Sequence, residues 1–414
     1  MVTIAVTPEP AHEPRVALSP ETARKFIAAG CTVRIARGSG ERSRFSDAEY
    51  EKQGCEIAAS TADALKGADI LLRVRRPDPA DVEALRDEAL VIAMLEPYGD
   101  AQPLQKLADT KRALFAMEFM PRISRAQSMD VLSSQANLAG YKAVIDASAA
   151  FEQAMPMMMT AAGTVPAAKA FIMGVGVAGL QAIATARRLG AIVTATDVRP
   201  ATKEQVNSLG AKFIAVENDE FKEAETAAGY AKEMSDDYKR QQAELVANHV
   251  KGQNIVITTA LIPGRPAPRL VTKAMVESMR PGSVIVDLAA ERGGNCELTK
   301  AGETVDHNGV RIIGMVNPAG DLPVNASALY ARNLQAFLDL MIDKDEKALK
   351  IDWDDEVIKG TLIAKGGKIV HAALGGEASA PEPAAAAATP DAAQDAGDGA
   401  EPSDKAPAEE AAKS

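Results

Sequence analysis

At 414 residues, with 47% apolar and 25% charged residues, the chain is long enough for two domains and balanced for burying a core in each. A net charge of −11 leaves no basic stripe to neutralise a phosphate backbone or an anionic membrane surface, so nucleic acid is not an expected partner. Cys31, Cys55 and Cys296 are odd in number and far apart, which gives neither a disulfide framework nor a metal or redox pair and suits a reducing cytoplasm. The opening MVTIAVTPEP lacks the basic and apolar regions of a signal peptide, and no uncharged apolar run of about 18 residues follows. No segment is expected to cross a membrane by itself.

In chain order, Thr3–Val6, CTVRIA (31–36), ADILLRV (68–74), LVIAML (90–95) and ALFAME (113–118) read as strands. SPETARKFIAAG (19–30) reads as a helix between the first two, with Ser19 as N-cap, Pro20 in the first helical position and Gly30 as the stop. This alternation predicts a parallel sheet with crossover helices. A second cycle starts at KAFIMG (169–174) and continues through AIVTATD, KFIAV, NIVITTA, SVIVDLA and RIIGMVN, mostly continuous apolar runs of the kind buried on both faces. Between the cycles lies a long helical pattern over 128–151, and another follows over 326–342. The expected fold is α/β, two doubly wound Rossmann-like domains joined by long linking helices. One domain takes 1–130 and 326–375, the other 131–325. A polar loop is expected from Glu217 to Gln242, and 377–414, rich in Ala, Pro and Glu, is expected to be a disordered acidic tail.

The chemistry is most legible in KAFIMGVGVAGLQAIATARRLGAIVTATDVR. Here a strand runs into Gly174-Val-Gly176-Val-Ala-Gly179, then a helix, then a second strand ending at Asp197. Gly174 permits the tight turn, Gly176 lets backbone approach a pyrophosphate, and Gly179 allows close helix–strand packing. Asp197, 18 residues after Gly179, is placed to accept from the adenosine ribose hydroxyls, which predicts NAD(H) rather than NADP(H). Arg199 would partly offset that choice. The four histidines, His12, His249, His307 and His371, fall in no motif with an acid, so no proton carrier for an ordinary alcohol or amine oxidation stands out. The distinctive polar cluster is PRISRAQSMD (121–130), running on to Ser133. A helix beginning near Gln127 would set Gln127, Asp130 and Ser133 on adjoining faces as a joint ligand site, while the plainer alternative is helix capping with solvated arginines.

Several long stretches then resemble one family: AMEFMPRISRAQSMDVLSSQANLAGYKAVIDA, PMMMTAAGTVP, GVGVAGLQAIATARRLGA, TATDVRPATKEQV, AETAAGYAKEM and ITTALIPGRPAP. They are similar to the NAD(H)-binding α subunit, domain I, of proton-translocating NAD(P) transhydrogenases, relatives of alanine dehydrogenase. The resemblance spans nearly everything before residue 376. It implies that Arg122, Gln127, Asp130 and Ser133 act at the hydride-transfer site with Tyr230, and that Ser128 and Met129 share in holding the nicotinamide. It implies that Val177, Asp197, Val198 and Arg199 hold the adenosine side, that Gly229, Tyr230 and Gln242 close over the nucleotide, and that Leu261 lines the pocket.

By that resemblance NADH here passes hydride to NADP+ on a partner subunit, coupled to proton movement through a membrane-spanning subunit. The chain would be a homodimer attached peripherally to the inner membrane from the cytoplasmic side. Two nicotinamides exchange hydride without a proton, which accounts for the missing general acid. The N-terminal stretch TPEPAHEPRVALSP and VIAMLEPYGD depart locally from the family pattern. In alanine dehydrogenases a histidine and an aspartate from the equivalents of IAMLEPYG and DLAAERGG handle the amino acid, whereas these stretches offer no histidine and carry Glu291. The two rival readings are a self-sufficient amino-acid dehydrogenase and a non-catalytic NAD(H)-sensing subunit.

Overall fold

The structure, a computed structural model, describes residues 1–222 and 234–376. Gly229, Tyr230 and the segment 377–414 lie outside the described residues. Two large sheets organise the rest. The first runs Lys368–Ile369, Leu362–Lys365, Ala113–Ala116, Leu90–Ala93, Ile70–Leu72, Thr3–Val6, Thr32–Ala36, Glu56–Ala58. It is parallel except for the two strands from near residue 365, which add antiparallel to its edge. The second runs Lys212–Phe213, Ile192–Thr196, Lys169–Met173, Ile255–Thr258, Val284–Asp287, Val310–Gly314, Thr304–His307, with only the last strand antiparallel. Ile70–Leu72, Leu90–Ala93 and Ile255–Thr258 are buried at every position because helices cover both faces of their sheets. In each sheet the strand order reverses beside the first strand, which opens a crevice at the carboxyl ends there.

Six helices position the site: α1 (Pro20–Ala28), α2 (Val131–Ala150), α3 (Val177–Arg188), α4 (Asp236–Val250), α5 (Pro323–Leu338) and α6 (Glu356–Thr361). Ser19 caps α1, its hydroxyl accepting from Thr22 N–H at 3.2 Å, and Gly30 closes the turn after it at φ +86°. Helix α2, 20 residues and so about 30 Å long, is the bridge between the sheets. Its first half meets α5, where Ser134 Oγ donates to Asn333 Oδ1 at 2.7 Å and Gln135 Nε2 donates to the Ala326 carbonyl at 3.1 Å. Its middle lies on α3. There Asn137 Nδ2 donates to Gln181 Oε1 at 3.3 Å, and Gly140 is pressed so close to the Ala178 carbonyl that a Cβ would overlap it.

Two expectations are corrected, and one element is added. The 217–242 segment is not loop throughout, because α4 starts at Asp236, capped by Ser235 Oγ, and buries Tyr238, Val246 and Val250 as a sparse stripe that the polar composition conceals. The run KFIAV contributes only Lys212–Phe213 as strand, at the sheet edge. A hairpin, Met158–Thr160 with Gly163–Val165, stands where the sequence shows only a family motif, and every residue of its strands is exposed.

Gly140→Ala should therefore destabilise the chain by about 1–3 kcal/mol, the cost of overpacking a rigid contact, since α2 must move off α3 to admit one methyl group. Urea unfolding would measure it, and an unchanged midpoint would mean the helices are not in fixed contact.

Candidate functional site

The second sheet's crevice opens between Lys169–Met173 and Ile255–Thr258, and the glycine turn sits at its mouth. Gly174 has φ +101°, a left-handed backbone, and a Cβ on it would lie 2.5 Å from Thr259 Oγ1. Its N–H donates to the Thr196 carbonyl at 2.9 Å, and its own carbonyl accepts from Thr259 Oγ1 at 3.0 Å, which fixes the turn from both neighbouring strands. Gly179 brings α3 down onto that carbonyl, a contact any Cβ would block. Gly176 caps α3 without a side-chain hydrogen bond, is exposed, and has nothing within 4 Å of the place its Cβ would take. The first-turn N–H groups of α3, with Val177 as its first residue, thus face open space with the positive end of the helix behind them. This arrangement fits a pyrophosphate.

Asp197 follows the adjacent strand, and its side chain is only 7% exposed. One oxygen accepts from Val175 N–H at 2.7 Å, and the other from Arg199 N–H and Nε at 2.9 Å each. Arg199 Nη2 also reaches Asp197 Oδ2 at 3.1 Å, so the guanidinium lies along the carboxylate and occupies both of its oxygens. Exposed apolar groups follow the strand ends on either side of the glycine turn: Val198 at 66% next to Asp197, and Leu261 at 51% and Ile262 at 45% after Ile255–Thr258. Asn295, fully buried, holds the Leu261 loop by accepting from Ala260 N–H and donating to the carbonyls of Ala260 and Pro268 at 2.9 and 2.7 Å. Gln242 lies on α4, accepts from Val216 N–H at 2.9 Å and donates to Thr196 Oγ1 at 3.3 Å, behind the strand that carries Asp197.

The PRISRAQSMD segment differs from the helix expected at Gln127. Ser124–Met129 is a 3₁₀ turn, and α2 begins only at Val131 with Asp130 as its cap. The Asp130 carboxylate accepts from Ser133 N–H at 2.9 Å and from Ser133 Oγ at 2.6 Å, so the structure brings these two together as a capping pair. With Ser133 donating to it from both N–H and Oγ, Asp130 is the residue that caps the helix, and the start lies four residues beyond Gln127. Gln127 and Ser128 are exposed beside it, Met129 is buried beneath, and Arg122 is exposed. Gln127, Asp130 and Ser133 therefore do not share one α-helical face. Sequence reasoning missed Asn295 and Asn333, although an Asn within the apolar stripe Tyr330, Ala331, Leu334, Phe337 was the available sign.

Between the sheets lies a buried charge cluster. Glu13, wholly buried, accepts from Arg15 Nε and Nη2 at 2.7 Å each, from Arg75 Nε at 2.7 Å and from Asn317 Nδ2 at 3.2 Å. Burial by itself raises its pKa, but the Arg15 hydrogen bonds and the charges of Arg15 and Arg75 outweigh that and hold it down at about 2. The histidines lie elsewhere: His249 bonds Thr194 Oγ1 at 2.8 Å, His307 pairs with Glu277 at 3.1 Å, His371 stacks on Phe119, and His12 is exposed. Among the described residues no group of acidic, histidine or cysteine side chains could hold a metal ion, and no helix is long and apolar enough to cross a membrane.

This geometry separates nucleotide binding from stability. Gly176→Ala meets no clash and costs the fold about 0.5–1 kcal/mol, because alanine is a poorer N-cap than glycine, yet it puts a methyl group where a nucleotide would approach. NADH titration should weaken about tenfold with only a small drop in melting temperature, whereas Gly179→Ala should lower the melting temperature much further. For Glu13, whose folded pKa lies below its usual 4.5, the stabilisation is present above about pH 4.5 and is lost as pH falls toward 2. The stability gap between wild type and Glu13→Gln should accordingly be constant at neutral pH and close over that acid window.

The sequence matches the families described as Alanine dehydrogenase/PNT, N-terminal domain, over residues 6–139 and Alanine dehydrogenase/PNT, C-terminal domain, over 143–372. It is 50% identical over 370 residues to an NAD(P) transhydrogenase subunit alpha chain of Rhodospirillum rubrum, covering 88% of this chain and 96% of that one. With the corresponding subunit alpha chain of Rickettsia prowazekii it is 45% identical over 375 residues, 90% and 96% of the two chains. The solved structure of transhydrogenase from Sinorhizobium meliloti superposes with a TM-score of 0.81 at 53% identity, covering 89% of this chain and all of that one. With the glycine turn, the doubly wound sheets and both halves of the sequence in agreement, the chain belongs to the alanine dehydrogenase/PNT family and is similar over most of its length to transhydrogenase alpha subunits.

Proposed function

We propose that the chain is the NAD(H)-binding subunit of a proton-translocating NAD(P)+ transhydrogenase, passing hydride between NADH and NADP+ held by a partner subunit. The observation that carries this reading is the geometry of α2. One end of it is the Asp130–Ser133 cap of the PRISRAQSMD segment, and its middle presses on α3 beside the glycine turn. A nucleotide seated at Gly176 thus has this polar segment at hand, and among the described residues neither region presents a histidine.

Bound NADH supplies the hydride. The protein's part is to hold it: α3 receives the pyrophosphate, Asp197 receives the ribose once Arg199 releases it, and Val198, Leu261 and Ile262 offer apolar surface to the bases. Arg122, Gln127, Ser128, Met129 and the Asp130–Ser133 pair orient the nicotinamide, and Gly229, Tyr230 and Gln242 belong to the side that closes over the nucleotide. Direct exchange between two nicotinamides moves no proton, so positioning suffices. The relatives are named as alpha subunits, which supports a chain that works with others, here an NADP(H)-binding subunit and a membrane-spanning proton-channel subunit holding it at the inner membrane. A homodimer is supported by the hairpin, where Met157, Met158 and Met159 are 60%, 44% and 78% exposed as an apolar patch that a second copy would cover.

The test is reconstitution. The chain alone should bind NADH, with affinity reduced by about 1–3 kcal/mol in Asp197→Ala, and should not reduce an NADP+ analogue until the NADP(H)-binding subunit is added. Hydride transfer by the chain alone would overturn the partner requirement, and turnover with pyruvate and ammonia would favour an amino-acid dehydrogenase instead.

A further inference from the structure

The segment Ser124–Met129, to which the nicotinamide role is assigned, makes little structure of its own. It is a 3₁₀ turn with no side-chain N-cap, and its main-chain bonds are short-range, such as Ala126 N–H to the Ile123 carbonyl at 3.0 Å. Two tethers reach it from the chain's return segment. Arg125 makes a bidentate pair with Asp355 at the start of α6, at 2.6 and 3.0 Å, but Arg125 is 44% exposed and such a surface pair contributes little. The other tether comes from a buried side chain. Asn333, on α5 and 7% exposed, donates from Nδ2 to the Ser128 carbonyl at 2.7 Å while its Oδ1 accepts from Ser134 Oγ on α2 at 2.7 Å.

We propose that Asn333 is a positioning residue for hydride transfer, locking the main chain at Ser128 and thereby setting the orientation of Gln127 and the Asp130–Ser133 cap toward the nicotinamide. The inference rests on the role proposed for that segment. Its physical basis is that one amide is committed at both ends. Ser134 fixes the oxygen, so the NH₂ can point only at Ser128, and Ser134 lies on the helix whose cap is Asp130. The turn and the first turn of α2 are thus held through a single side chain. Loss of that amide leaves the Ser128 carbonyl, in an otherwise exposed turn, without the side chain that ties it to α5 and α2, so water can satisfy the oxygen but cannot hold the turn in place. Asn333 itself touches no reacting atom, and what it controls is alignment, to which transfer rates are steeply sensitive.

The test uses the full chain with the NADP(H)-binding subunit, reading single-turnover hydride transfer, NADH binding and melting temperature. Asn333→Leu should slow transfer about tenfold while NADH binding changes by less than about twofold, and Ser134→Ala, which only frees the amide to rotate, should slow it less. Asn333→Asp keeps the acceptor for Ser134 but places an oxygen against the Ser128 carbonyl unless it is protonated. Its rate relative to wild type should recover as pH falls from about 8 to 6, since burial between oxygens raises an aspartate pKa. That recovery keeps the proposal testable even if the leucine variant does not fold. Wild-type transfer rates in Asn333→Asp and Ser134→Ala, or equal losses in NADH binding and transfer, would overturn it. Gln127→Asn is the parallel control. If it slows transfer and the Asn333 variants do not, the tether fails alone, whereas if it too is silent, the role of the segment fails and the inference with it.

Discussion

Everything in the candidate site is referred to one contact, the closure of α2 on α3 at Gly140 and Ala178. A helix pair approaches this closely only where a side chain is missing, and the consequence is a fixed relation between two helix starts. The cap at Asp130 lies ten residues, or about 15 Å, along α2 from that contact, and the glycine turn lies at the near end of α3. The glycine turn and the PRISRAQSMD segment, the two ends of the proposed dinucleotide site, are therefore related through packed helices. Gly179 repeats the device between α3 and its strand, so strand, turn, α3 and α2 form one stack with three glycines at its closest approaches.

Around this stack the chain keeps its buried charges in closed groups. Glu9 pairs with Arg73 at 3.0 Å and also accepts from Val74 N–H at 2.7 Å, while Glu13 collects Arg15, Arg75 and Asn317. Removing such ions from water is expensive, and it is the number of donors on each carboxylate that offsets the cost. The Glu13 cluster also links parts far apart in sequence. Arg15 Nη1 donates to Gln135 on α2 at 2.8 Å, and Asn317 follows a strand of the second sheet at φ +48°, a left-handed turn that asparagine adopts readily. Charge thus joins the sheets where the apolar cores do not.

Much of the fold is legible in the sequence because it rests on short-range signals. The apolar runs are strands, Ser19 and Pro20 start a helix, and the glycine fingerprint lies between a strand and a helix. What escapes has a common cause, namely dependence on partners distant in sequence. The start of α2 is set by competition among several capping residues, and Asp130 wins because Ser133 completes its bonding, which spacing alone does not reveal. Asn333 and Asn295 look like ordinary polar residues until α5 and the Leu261 loop are folded against their neighbours. Helix α4 hides behind a polar composition because it buries only three side chains. Arg199 reads from the sequence as a charge beside Asp197, but its occupation of the carboxylate is a matter of rotamer, which no sequence pattern carries.

On the proposed reading, the lack of a histidine in the PRISRAQSMD segment and in the glycine turn is what the chemistry calls for. Where hydride passes between two nicotinamides, no group of the protein gains or loses a proton, and the barrier is lowered by distance and angle alone. The residues that matter are then those that restrict motion. That accounts for why the polar side chains near the cleft are spent on the backbone: Asp130 on the first turn of α2, Asn295 on the Leu261 loop, Thr259 on the Gly174 carbonyl and Asn333 on Ser128. An enzyme with acid–base work would leave such groups facing the substrate. Here they face the chain, and among the described residues Gly176, Gln127, Val198 and Leu261 remain exposed for a nucleotide to lie against.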